Sequence, residues 1–138
     1  TTGTSVFNQI NASGIITASS FSGDGSNLTG LNSGTVSSGT FTASAGSPST
    51  LDTYAYNSSE LVFEYTIFVK NGSNYQSQKL LVMRDGTTVT STQYGIMYSN
   101  SLLAQFDAAT SGSNLLLRAT PETGVSGSTT YRIKREVT

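Results

Sequence analysis

The 138-residue chain contains no cysteine, no histidine and no tryptophan. Without cysteine there is no disulfide scaffold and no thiol nucleophile, and without histidine there is no imidazole base. Together the two absences exclude almost every structural zinc site. Charge is also scarce. Asp, Glu, Lys and Arg make up 11% of the residues, against about 25% in an ordinary globular chain. The formal net charge is −1, so nothing steers the chain toward nucleic acid or an anionic membrane surface. No apolar run approaches the ~20 residues of a membrane-spanning helix, so membrane insertion is not expected. No signal peptide is visible, and the chain begins at Thr1 rather than Met, which points to a fragment or a processed product.

What is present divides near Ser47-Pro48-Ser49-Thr50. Every Lys and Arg lies beyond that point, and the first fifty residues carry one charge, Asp24. About two-thirds of those fifty are Ser, Thr, Gly or Asn, a linker-like composition. Apolar residues nevertheless recur through it. Gly14-Ile15-Ile16-Thr17-Ala18-Ser19-Ser20-Phe21 is echoed by Gly34-Thr35-Val36-Ser37-Ser38-Gly39-Thr40-Phe41, an offset within the range of repeat architectures. One copy offers too little apolar surface to offset the backbone entropy of about 1–2 kcal/mol per residue. Several chains wound together would supply the missing neighbours, and small side chains permit the close approach. Residues 1–50 are therefore expected to form an extended or β-stranded oligomeric stalk, with Ile15, Ile16, Phe21, Leu28, Leu31, Val36 and Phe41 as its inter-chain contacts.

Residues 51–138 predict strand after strand. In Leu61–Lys70 the odd positions are all apolar or aromatic, the period-two pattern of a half-buried strand. Asn71-Gly72, Asp85-Gly86 and Ser111-Gly112-Ser113-Asn114 separate β-rich runs, as hairpin turns do. Further strands are expected at Leu51–Tyr56, Gln78–Arg84, Thr87 onward to Tyr98, Leu102–Ala108, Leu115–Thr120 and Thr130–Val137. About seven strands with short turns imply an antiparallel β-sandwich, jelly-roll-like, as the head of an all-β chain. The triplets Leu80–Val82 and Leu115–Leu117 imply burial on both faces, in the centre of the sandwich or against another subunit. The cluster Arg132, Lys134 and Arg135 is expected on a solvated face or a protected edge.

Catalytic chemistry finds little support. A glycosidase needs two carboxylates across a cleft, but Asp85 is explained by its turn and Glu64 by the polar face of its strand; Asp107, beside Phe106, is expected to be partly buried. Gly23-Asp24-Gly25-Ser26-Asn27 lacks the further acidic ligands of a calcium loop. No enzyme activity, metal or cofactor is expected. Tyr54, Tyr56 and Tyr75 are candidate glycan contacts, because aromatic rings stack on sugars.

The segment Gly14–Leu31 resembles repeats in tail fibres and other virion proteins of marine tailed phages, those of cyanobacteria above all. The run Phe63–Val82, the turn at Asp85-Gly86, Tyr94-Gly95, Ala104–Asp107 and Leu115–Pro121 are similar to a head domain of the same phages. The resemblance implies a structural virion protein on the particle exterior: a fibre, neck appendage or capsid decoration. It implies a homo-trimer partnered by other virion proteins, and offers no catalytic residue. The alternative is a carbohydrate- or host-receptor-binding module at a fibre tip, with host surface glycan as the partner.

Overall fold

The computed structural model describes residues 34–138, together with 13–15 and 17. Eight strands and no helix occur among the described residues: β1 (Thr35–Ala43), β2 (Ser49–Ala55), β3 (Val62–Asn71), β4 (Asn74–Asp85), β5 (Thr88–Tyr98), β6 (Ala104–Ser111), β7 (Asn114–Pro121) and β8 (Gly127–Val137). They form a five-stranded sheet in the order β1-β8-β3-β4-β5 and a three-stranded sheet in the order β2-β7-β6. All pairings are antiparallel. The expected antiparallel sandwich is therefore present. The nested pairs β1–β8 and β2–β7 follow a jelly-roll pattern, whereas β3-β4-β5 is a meander.

The eighth strand is β1. It lies within the first fifty residues, where composition points to stalk, yet it pairs along its whole length with β8. Thr35, Val36, Thr40, Phe41 and Thr42 are β-branched or aromatic residues suited to a strand. A glycine in the middle of β1 fits because Tyr131 crosses it: a Cβ on Gly39 would lie 2.6–2.9 Å from the Tyr131 ring and hydroxyl.

Two turns fall one residue beyond their expected frame, and the third is centred within Ser111–Asn114 as expected. The paired ends Asn71–Asn74, Asp85–Thr88 and Ser111–Asn114 leave Gly72-Ser73, Gly86-Thr87 and Gly112-Ser113 as two-residue loops. Each glycine has φ near +60°, and among the described residues no non-glycine residue has positive φ. Glycine at the first loop position with a negative φ after it is the II′ arrangement, which matches the twist of the strands.

Alternation builds the core. Phe63, Tyr65, Ile67 and Val69 of β3 and Leu80 and Val82 of β4 face inward with no exposed surface. Leu115, Leu117 and Ala119 of β7 and Phe106 of β6 meet them from the other sheet. The two leucine-rich triplets alternate rather than burying both faces. Leu81 is exposed and Leu116 is half-buried, while their neighbours are fully covered. A bulge between Thr50 and Asp52 turns Leu51 and Asp52 inward together.

Glutamine closes one side of the sandwich. β6 is an edge strand, and Pro121, opposite Ala104 on β7, has no N–H to offer. Gln76 of β4 takes the place of a neighbouring strand. Its Oε1 accepts from the N–H groups of Leu103 (2.6 Å) and Ala104 (3.0 Å). Its Nε2 donates to Ala104 O (2.8 Å) and Gln78 Oε1 (2.7 Å). All four hydrogen-bonding positions of this amide, 1% exposed, are used. The chain continues from Gln78 to Gln93, Gln105 and Glu122, and Gln93 Oε1 also accepts from Phe106 N.

Candidate functional site: the outer face of the five-stranded sheet

Two arginines occupy the opposite side of the sandwich interior. β8 lies between β1 and β3, so the basic cluster is not at a sheet edge, and alternation splits it. Arg132 and Lys134 point outward, whereas Arg135 points inward and is 8% exposed. Arg135 forms an ion pair with Asp52 of the other sheet. Asp52 also accepts from the Tyr65 hydroxyl (3.1 Å). Burial, then the Asp52 carboxylate, pushes the Tyr65 phenol well above its ordinary range. Arg135 stacks at 4.0 Å on the Tyr54 ring. The Tyr54 hydroxyl donates to Glu60 (2.8 Å), whose other oxygen accepts from Asn57 N (2.8 Å). The Asn57 backbone bond and the Tyr54 hydroxyl together hold the Glu60 carboxyl below its usual value.

Arg84 does comparable work at the end of β4. Its guanidinium lies 4.1 Å over the Tyr56 ring and donates to the carbonyls of Asn57, Ser58, Glu60 and Gly86. It therefore fastens the loop before β3 to the β4–β5 turn. Tyr54 and Tyr56 each have one ring face covered by a guanidinium. Tyr75 lies elsewhere, on the outer face of the five-stranded sheet, so the three tyrosines do not form one site.

That outer face is where large apolar side chains remain uncovered. Phe68 on β3, Tyr75, Leu81 and Met83 on β4, and Tyr94 and Met97 on β5 are all exposed, with Val36 on β1 at the far side. The register explains the grouping. Phe68 pairs with Ser77 and Arg132, Ser77 pairs with Met97, and Val36 pairs with Lys134. Tyr94 and Met97 both point outward because a bulge opposite Gln78, with Gly95 at φ 62°, resets the alternation between them. Phe68 and Tyr75 stack at 6.1 Å, and Lys70 lies 5.5 Å from the Tyr75 ring centre.

Three shallow hollows lie on this face. One of about 220 Å³ is lined by Val36, Thr66, Phe68, Arg132 and Lys134. A second, of about 180 Å³, is lined by Phe68, Tyr75, Met97, Tyr98 and Ser99. A third, of about 130 Å³, is lined by Leu81, Met83 and Thr90–Thr92. Most of the charge on the face is paired. Lys79 bridges Glu64, which also accepts from the Tyr94 hydroxyl at 2.8 Å, and Lys134 bridges Glu136. Arg132 has no acidic partner among the described residues. The outer face of the three-stranded sheet is more polar, with Thr50, Thr53, Thr120 and the Arg118–Asp107 pair.

The carboxylates are committed. Among the described residues every one except Asp85 accepts a hydrogen bond or bridges a cation: Asp52, Glu60, Glu64, Asp107, Glu122 and Glu136. Asp107 is engaged by two guanidinium nitrogens of Arg118. No cluster of three acidic residues that could hold a metal occurs among the described residues.

No protein-family model matches the sequence, and no curated protein matches it. Solved structures do. The tailspike protein of Acinetobacter phage vB_ApiP_P1 aligns over 95% of this chain at a TM-score of 0.51 and 13% identity. The likeness is one of fold. This chain spans about a quarter, 26%, of that tailspike's length. The tailspike protein of Acinetobacter baumannii phage AM24 aligns more loosely, over 74% of this chain and 25% of its own, at a TM-score of 0.45 and 12% identity.

The seven residues expected as stalk contacts separate into groups. Val36 is exposed on β1. Phe41, also on β1, packs against the sandwich core with its ring 6.3 Å from that of Tyr131. Ile15 is exposed, and Ile16, Phe21, Leu28 and Leu31 lie outside the described residues. Of the outer-face patch, the sequence pointed only to Tyr75 and Val36. Its signals were breaks in alternation: Phe68 among Glu64, Thr66 and Lys70, and Leu81 in a strand whose other outward positions include Ser77 and Lys79.

Proposed function

We propose that this chain is a structural module on the exterior of a tailed-phage particle, carried on the tail, that works through assembly and surface contact rather than catalysis. The observation that carries the reading is the fold likeness to a tailspike over 95% of this chain. A structural module needs a durable, weakly charged surface and a mating face. The low charge content and the exposed face of the five-stranded sheet fit both needs. The assembly is a homo-trimer in which the Ser/Thr/Gly-rich segment preceding β1 serves as the stalk, joined to other virion proteins as a fibre, neck appendage or decoration. The committed carboxylates support a role without hydrolysis.

Immunogold labelling of particles whose genome encodes the chain tests this. Gold on the tail is the expected result. Particles free of label and of the chain by mass spectrometry would refute the reading.

A second reading has its own observation. The stacked Phe68–Tyr75 pair beside Tyr98 borders a hollow of about 180 Å³ and presents ring faces of the kind that stack on sugars. Host surface glycan would be the ligand. Glycan-array binding that Tyr75→Ala abolishes supports it, and an array without hits removes it.

A further inference from the structure

The exposed apolar groups are not scattered over the sandwich. Phe68, Tyr75 and Tyr94 are 37–43% exposed, and at about 150–250 Å² per aromatic side chain they leave on the order of 250 Å² uncovered. With Val36, Leu81, Met83 and Met97 the face presents roughly 600 Å² of mostly apolar surface, at the upper end of the ~300–600 Å² of the largest patch on an ordinary monomer. One side of a standard protein interface buries about 800 Å². The whole face, covered by two neighbours together, approaches that area.

Its two halves differ in shape. The β4–β5 half projects through its methionines, Met97 at 66% and Met83 at 54% exposed, with hollows of about 180 and 130 Å³ beside them. The β1–β8 half is hollow, with about 220 Å³ between Val36, Phe68, Arg132 and Lys134. Methionine is flexible and fills irregular gaps well. Arg132, without an acidic partner among the described residues, lies in the hollow half, while the tyrosines that could take a guanidinium over their rings lie on the projecting half. Lys79 and Lys134 are neutralised by Glu64 and Glu136, which leaves Lys70 beside Arg132 as the face's cations without an acidic partner among the described residues.

We propose that the outer face of the five-stranded sheet is the surface through which copies of this chain meet, the β4–β5 half of one copy packing into the β1–β8 half of the next. The inference rests on the oligomeric reading above and adds the interface to it. A contact between unlike halves passes from copy to copy around a ring and closes when the rotation allows it. Met97 then seats in the hollow beside Val36 and Phe68 of the neighbour, and Arg132 faces a neighbouring tyrosine.

The test is the mass of the full chain in solution, by light scattering and native mass spectrometry at micromolar concentration. Three proteins are compared: the wild type, Met97→Glu on the projecting half and Val36→Glu on the hollow half. Both substitutions fall on exposed positions, and circular dichroism with a melting curve verifies folding. The expected result is an oligomeric wild type and two folded variants whose dissociation constants rise at least 100-fold. A third variant, Thr53→Glu on the outer face of the three-stranded sheet, should keep the wild-type mass. If the wild type is oligomeric and both face variants remain so, the interface proposal is overturned while the oligomeric reading stands. A monomeric wild type overturns both.

Discussion

Replacing Gln76 by leucine is the most direct way to question the seam between the sheets. The substitution keeps the volume and removes the amide. It leaves three backbone groups without their partner: the N–H groups of Leu103 and Ala104 and the carbonyl of Ala104. Both residues are 2% exposed, so water does not readily replace the lost bonds. An unpaired buried group costs about 1–3 kcal/mol. Three would cost about 3–9 kcal/mol, reduced by about 1 kcal/mol for the more apolar side chain, leaving a net loss of about 2–8 kcal/mol. In urea, with a slope of about 2 kcal/mol/M, mid-range for a small protein, the midpoint should fall by about 1–4 M. Hydrogen exchange at the Leu103, Ala104 and Phe106 amides should accelerate well beyond that at β3. Gln76→Glu is the companion. Its carboxylate still accepts from the two N–H groups but confronts Ala104 O and Gln78 Oε1. Burial among acceptors raises its folded pKa above the unfolded value, so the folded state binds the extra proton and stability falls as pH rises. A Gln76→Leu midpoint within about 0.3 M of wild type, a difference of under about 1 kcal/mol, would refute the idea that this amide holds the edge of β6.

Three other outcomes are expected. Asp52→Ala strands the Arg135 guanidinium in the interior and should cost about 3–5 kcal/mol in a denaturation curve, whereas Asp52→Leu combined with Arg135→Met should recover much of that loss. Glu60 has a folded pKa below 4.5, so its contribution is present above that value and disappears as pH falls through the folded pKa; Glu60→Gln should flatten this part of the acid-unfolding profile, and an unchanged profile would deny the role of the Tyr54–Glu60–Asn57 contacts. Gly39→Ala should lower the melting temperature, since the new methyl meets the Tyr131 ring, at a cost of about 1–3 kcal/mol, and Gly39→Ala with Tyr131→Ala should show strong non-additivity.

Local rules made the β3–β4–β5 meander and the β6–β7 hairpin legible. Leu61–Lys70 carries an apolar or aromatic residue at every odd position, and glycine punctuates each reversal. β1 was hidden by its own composition. Ser and Thr make an acceptable edge strand, but only pairing with β8, some ninety residues on, distinguishes Thr35–Ala43 from linker. The inward turn of Arg135 was similarly concealed: parity put it with Tyr131 and Ile133, while its charge argued for solvent, and the compensating Asp52 is 83 positions away. Tyr54 and Tyr56 could be read as strand aromatics, but the arginines on their rings belong to distant strands. The outer-face patch needed the register of four strands before its members became neighbours.

The amide seam along β6 also bears on how copies can add to one another. A bare strand edge is a template: a second chain can pair with it, present its own bare edge and recruit a third, with no step at which growth stops. Along Ala104–Phe106 the groups that would start such growth are already held by Gln76 and Gln93. Association through a sheet face has a different arithmetic, because each contact consumes a patch of fixed size and a ring uses up every patch it contains. By closing β6 and leaving the face, this sequence removes one of the sandwich's strand edges, beside β1, β2 and β5, at which open-ended growth could start.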